Sequence, residues 1–238
     1  MPLCPNCSTP IDQNYCPNCG RAATLKRIDG HYIQHEIEHV LHFEKGILFT
    51  VRELLFRPGK NVKEFINGDR NRLVKPIIFI IITSLLYSLS NHFFQQKDGY
   101  VNIGSDKSSS VGAISAWVRS HYGYGNILMG VFIAFWLKLF FRKYQYNFYE
   151  ILILLCFVMG MGMLFLAIAS LLEGLIKLPL MQAGSAILIV YFPWSIGQFF
   201  NGSKTSSYVK ALCAYILGML SFVGAIYLIG FLYDSMFK

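Results

Sequence analysis

The chain reads as a mainly α, multi-pass helical membrane protein. It has about five transmembrane helices, a small N-terminal zinc ribbon and amphipathic interfacial helices between the two. Three observations lead there. Four cysteines open the sequence in two identical turns, Cys4-Pro5-Asn6-Cys7 and Cys16-Pro17-Asn18-Cys19. Only 14% of the 238 residues are charged and 54% are hydrophobic, against about 25% charged in an ordinary soluble domain. The charge that exists crowds into residues 1–75, and the remainder of the chain is nearly continuous apolar sequence.

Residues 1–22 form the first unit. Two Cys-x-x-Cys turns bring four soft ligands to the corners of a tetrahedron, and the spacing Cys-x2-Cys-x8-Cys-x2-Cys is that of a structural zinc site. Cys4, Cys7, Cys16 and Cys19 are the expected ligands, and Zn2+ the expected cofactor. All four positions are taken by protein, so the site has no open place for chemistry. Reduced thiols imply a reducing compartment. Met1-Pro2-Leu3-Cys4 lacks a charged and apolar leader, so the first span is expected to act as an uncleaved signal anchor.

Residues 23–75 form the second unit, a set of cytosolic amphipathic helices. Over 24–45 the apolar residues Ile33, Ile37, Val40 and Leu41 share one helical face. His31, His35, His39 and His42 share the other, where imidazoles at i, i+4 spacing offer a second metal site or a pH-sensitive stripe. His35-Glu36-Ile37-Glu38-His39 also matches His-Glu-x-x-His, in which two His bind zinc and the Glu acts as base. A metalloenzyme built on His35, Glu36 and His39 would need a further ligand, which no downstream motif supplies. A short helix is expected from Ile47 to Phe56. Arg57-Pro58-Gly59-Lys60 is expected to break it, and Asn61 to cap another helix over Val62–Ile66.

Seven basic residues stand in the 24 positions from Arg52 to Lys75. Interleaved with Leu54, Leu55, Phe56, Phe65 and Ile66, they form an interfacial collar with affinity for anionic lipid. A specific phosphate or headgroup site is expected at Arg57, Lys60, Arg70 and Arg72. No basic patch carries the interleaved aromatics that would favour nucleic acid.

Residues 76–238 form the membrane unit. Spans of roughly 20 apolar residues are expected at Pro76–Phe94, Ile127–Phe141, Tyr149–Leu172, Leu180–Phe199 and Tyr208–Tyr233, with a short interfacial helix over Ala113–Tyr122. Lys and Arg flank the spans so as to put the N-terminus inside and the C-terminus outside. Glu173 and Lys177 are expected to pair along one helix. Ala214, Gly218, Ser221 and Ala225 make a small-residue stripe suited to close helix packing, within the chain or between copies in an oligomer. Charged groups are scarce at mid-span, which argues against an ion-coupled transporter.

Thr50-x-x-Glu53-Leu54-x-x-Arg57-Pro58-Gly59, with Gly68-x-Arg70, Lys75-Pro76 and the four cysteines, resembles an uncharacterised family of bacterial membrane proteins, a domain of unknown function. The resemblance covers residues 1–80 and implies the bacterial cytoplasmic (inner) membrane, but no reaction or substrate. The span count and cytosolic N-terminus are similar to those of Yip1-type membrane proteins in architecture alone. The function expected from these features is a membrane-anchored adaptor or scaffold. It would bind a cytosolic protein partner or anionic headgroups of the membrane lipids. The alternatives are a transporter or lipid-handling protein and, after them, the metalloenzyme.

Overall fold

Helix Phe148–Ile176 is apolar nearly all round, and the helices Pro76–Phe93, Tyr122–Phe140 and Leu180–Asn201 pack on it. A helix without a polar face has to be surrounded, and 78% of its most apolar window is buried. A computed structural model describes residues 3–22, 46–94 and 110–237. In chain order its helices are α1 (Ile47–Phe56), α2 (Pro58–Asn67), α3 (Pro76–Phe93), α4 (Ser110–Ser120), α5 (Tyr122–Phe140), α6 (Phe148–Ile176), α7 (Leu180–Asn201) and α8 (Thr205–Phe237). Five of them, α3 and α5–α8, are long and apolar enough to cross a membrane. The expected fold class therefore stands: helical, with five candidate spans and a four-cysteine cluster ahead of them. The histidine stripe His31, His35, His39 and His42, with Glu36, lies outside the described residues.

Packing between the helices is close. α6 meets α3, α5 and α7, while α8 packs on α5 and α7. A Cβ on Gly160 of α6 would come within 2.6 Å of the Phe79 ring of α3. The small-residue stripe of α8 is used against α5: a Cβ on Gly218 would reach 2.6 Å from the Ile133 backbone, and Ser221 Oγ accepts the Trp136 indole N–H at 2.9 Å.

Several helix ends differ from expectation for identifiable reasons. α5 begins at Tyr122, not Ile127. The polar-looking start Tyr122-Gly123-Tyr124-Gly125-Asn126 is helical because Tyr122, Gly125 and Asn126 are buried, with Asn126 donating to Ser84 Oγ of α3. α4 runs from Ser110, whose amide and hydroxyl both donate to the Asp234 carboxylate of α8 (3.2 and 2.6 Å). Glu173 caps the next helix rather than serving a pair with Lys177: its carboxylate accepts the Met181 amide at 2.7 Å, and Lys177 ends α6 in a left-handed conformation.

The break expected after Phe56 is there, but it is one residue long, Arg57, where four were expected. Pro58 instead opens α2 at its first turn, where a missing N–H costs nothing. α1 and α2 thus form a tight hairpin with one residue between them. Ile47, Thr50, Val51 and Leu54 of α1 turn inward at i, i+3, i+4, i+7, as do Pro58, Asn61, Val62, Phe65 and Ile66 of α2. Leu54, Phe65 and Ile66 are at most 3% exposed. They belong to the protein core and not to a lipid-facing collar, because the hairpin lays one face on α6 and α7.

Asn61 is not an N-cap. It sits one turn inside α2, buried, and its amide donates to the carbonyls of Glu53 (3.0 Å) and Arg57 (2.9 Å), closing the end of α1. Replacing Asn61 with alanine removes one of two donors from each of these carbonyls, the Arg57 and Asn61 backbone amides remaining. We expect a loss of about 1 kcal/mol, measurable as a lowered unfolding midpoint of the detergent-solubilised protein.

Candidate metal centre and juxtamembrane clasp

The cysteine module is built twice from the same turn. In the first copy Ser8 N–H bonds the Cys4 carbonyl and Cys4 N–H bonds the Thr9 carbonyl, each at 2.9 Å. In the second copy Gly20 bonds Cys16 at 2.9 Å and Cys16 bonds Arg21 at 2.6 Å. Ser8 and Gly20 both adopt left-handed backbone (φ 57° and 70°), which bends each turn back on itself. Paired bridges, Leu3 with Pro10 and Tyr15 with Ala22, close the two copies. Cys4, Ile11 and Cys16 form a small core of their own.

The four sulfurs lie within 4.8 Å of one another and could hold a metal ion. Three of their separations are 3.5, 3.5 and 3.6 Å. Four thiolates about 2.3 Å from a central zinc would stand about 3.8 Å apart, so the donors have both the chemistry and nearly the spacing of a tetrahedral thiolate site. The Asn6 and Cys7 amides lower the Cys4 thiol. The Thr9 hydroxyl and then its amide bring Cys7 down to about 6. Cys16 moves the other way, up to about 11. The Cys19 amide pulls it down, but burial and the adjoining sulfurs of Cys7 and Cys19 outweigh that pull. Four thiols this close cannot all ionise unaided, and a divalent cation at their centre would supply the missing charge.

Below the module the α1–α2 hairpin forms a clasp at the entry to the spans. Thr50 Oγ1, fully buried, accepts the Val74 amide at 3.0 Å, tying α1 to the residues that lead into α3. Tyr191 Oη of α7 donates to the Leu54 carbonyl at 2.9 Å. Gly59 lies against α7 so closely that a Cβ would fall 2.5 Å from the Gln198 and Phe199 backbone. Arg72 reaches back between two carboxylates: Glu53 at 2.7 Å, and Glu64, which shares a second short ion pair with it. The module joins the clasp through Arg21 and Asp69 at 3.3 Å.

The four cations expected to make one headgroup site are thus distributed. Arg72 is held by Glu53 and Glu64, and Lys60 lies 3.7 Å from Glu64. Arg70 is half-buried and engaged within the protein. Arg57 is exposed at the turn between α1 and α2, beside Arg52. Sequence reading placed Arg52, Glu53 and Asp69 in this segment without partners, and it missed Arg21. The ion-pair partners lie 8, 19 and 48 residues apart in sequence, beyond any helical period.

Residues 44–88 match a family model described as a protein of unknown function (DUF3667). The matched segment holds Thr50, Glu53, Leu54, Arg57, Pro58, Gly59, Gly68, Arg70, Lys75 and Pro76, and so coincides with the clasp and most of α3; the cysteines lie outside it. No curated protein and no solved structure matches the chain.

Proposed function

We propose that this chain is a membrane-anchored adaptor. A zinc module is held at the cytoplasmic face of a bacterial inner membrane by a five-span anchor, and it recruits a protein partner there. The observation that carries this reading is the pair Leu3 and Tyr15. Each directly precedes the first cysteine of its turn, and they are 64% and 65% exposed. A module with so small a core that still leaves two large apolar side chains in water, at equivalent places of a repeat, offers them to another surface. Coordination by all four thiolates leaves that surface, and not the metal, as the working part.

The charge pattern supports the orientation. Lys60, Lys63, Arg70, Arg72, Lys75, Arg142, Lys143, Lys204 and Lys210 stand at or near the end of the bundle that bears the module. Among the described residues Arg119 and Lys177 stand toward the other. Positive residues are retained on the cytoplasmic side.

A photo-crosslinking residue in place of Tyr15, in the full chain in cells, tests the adaptor. The expected result is one discrete protein adduct that disappears on Leu3→Asp while the metal content stays at about one zinc per chain. An adduct pattern indifferent to Leu3→Asp, or no adduct, overturns it.

A further inference from the structure

Two guanidiniums at the entry to the spans have no acidic partner among the described residues. Arg52 and Arg57 line a notch of about 310 Å3 with Glu53 and Phe56. The Glu53 carboxylate is already engaged by Arg72, so it does not neutralise the notch. Neither Arg52 nor Arg57 forms an ion pair among the described residues.

The notch is set in an apolar face. Leu48 (80% exposed), Phe49, Leu55 and Phe56 (67%) surround Arg52 on α1. At 100° per residue these five positions fall within about 120° of the helix wheel. That face is turned away from the bundle, since Thr50 and Leu54 occupy the inward side.

Its depth follows from the helix register. The Phe79 ring is 6.0 Å from the Phe157 ring. Phe79 is three residues into α3 and Phe157 nine into α6. At 1.5 Å per residue, α6 projects about 9 Å beyond the start of α3. Phe65 of α2 packs on Phe157 itself, 5.2 Å between ring centroids, and α1 is bonded to Val74 just ahead of Pro76, so the hairpin lies level with the start of α3. This is the level of the headgroup boundary, about 30 Å of hydrocarbon lying beyond it.

We infer that the Arg52–Arg57 notch binds the phosphate of an anionic phospholipid from the adjoining leaflet, while Leu48, Phe49, Leu55 and Phe56 enter its acyl boundary. Planar guanidinium forks suit phosphate oxygens, and aromatic and leucine side chains beside cations are the composition of an interfacial helix. A free phosphate would use the two arginines and leave the apolar face in water, so the two features together select a lipid. The inference shares with the adaptor reading only the premise that the five helices lie in a membrane.

The test is native mass spectrometry of the full-length protein from micelles doped equally with phosphatidylglycerol and phosphatidylcholine. Wild type is expected to retain phosphatidylglycerol preferentially. Arg52→Gln with Arg57→Gln should cut that retention about thirtyfold, and Lys60→Gln should leave it unchanged. Equal retention by wild type and the double variant overturns the site. Displacement of the lipid by inorganic phosphate overturns the assignment to lipid. A readout independent of the double variant's folding is Phe56→Trp, whose added fluorescence should be quenched more by brominated phosphatidylglycerol than by the brominated phosphatidylcholine; equal quenching also counts against the site. Loss of the Tyr15 adduct with intact lipid retention would remove the adaptor and spare this inference.

Discussion

Replacing Gly59 with valine is expected to lift the α1–α2 hairpin off the bundle. The added Cβ alone would stand 2.5 Å from the Gln198 and Phe199 backbone. Backbone of a buried helix has no rotamer with which to yield, so α2 has to move. Overpacking of this kind costs about 1–3 kcal/mol, and more is lost if the hairpin leaves altogether. The bond from Tyr191 to Leu54 and the burial of Val62, Phe65 and Ile66 go with it. The measurements are a lowered unfolding midpoint and new protease sensitivity between Phe56 and Arg72. A midpoint and cleavage pattern like wild type would mean that the contact is not tight. Metal content should not change, since the module joins the clasp through the Arg21–Asp69 pair and all four candidate ligands lie within the module.

Cys16→Ser is expected to do the reverse. Removing one of four soft ligands, and the most buried sulfur after Cys4, takes the module below tetrahedral thiolate coordination. Wild type should carry about one zinc per chain and the variant about none, by elemental analysis of purified protein. Binding at such sites is folding, so residues 3–22 should lose their turns and the three remaining thiols should become open to alkylation. The bundle should melt as before. Zinc retained in full by the variant would mean that the ligands lie elsewhere, and the histidines at 31, 35, 39 and 42 would be the first place to look.

How much of the molecule was legible in its sequence depended on whether the signal was local. The cysteine site was readable because its geometry is carried by spacing alone: each turn spans four residues, and the second repeats the first. The five spans were readable because lipid imposes a length and a composition. Their ends were not always so. Gly125 and Asn126 look like a surface turn, yet they are small and polar in order to meet Val118 and Ser84.

The clasp was the least legible region, for a related reason. Pro58 and Gly59 carry the usual marks of a break. What makes them a helix start and a contact point is α7, some 140 residues further on. Asn61 has the chemistry of a capping residue but serves the other helix end, since nothing local shows that the carbonyls of Glu53 and Arg57 lie beside it. The basic residues are legible as a group. Which of them are free is decided by Glu53 and Glu64, whose partner Arg72 sits in a turn with no periodicity to place it.

The bond between Tyr191 and Leu54 spans 137 residues, and that distance has a consequence for how the protein is made. The hairpin leaves the ribosome early, carrying Leu54, Val62, Phe65 and Ile66 with nothing to cover them. Its docking surface on α7 is synthesised on the order of ten seconds later. Until then the nascent chain displays a greasy helical pair at the translocation machinery. Full docking of that pair therefore marks the moment when the fourth span has arrived, and a chain truncated before Tyr191 would leave open the part of the face that α7 covers, for quality-control proteases to find.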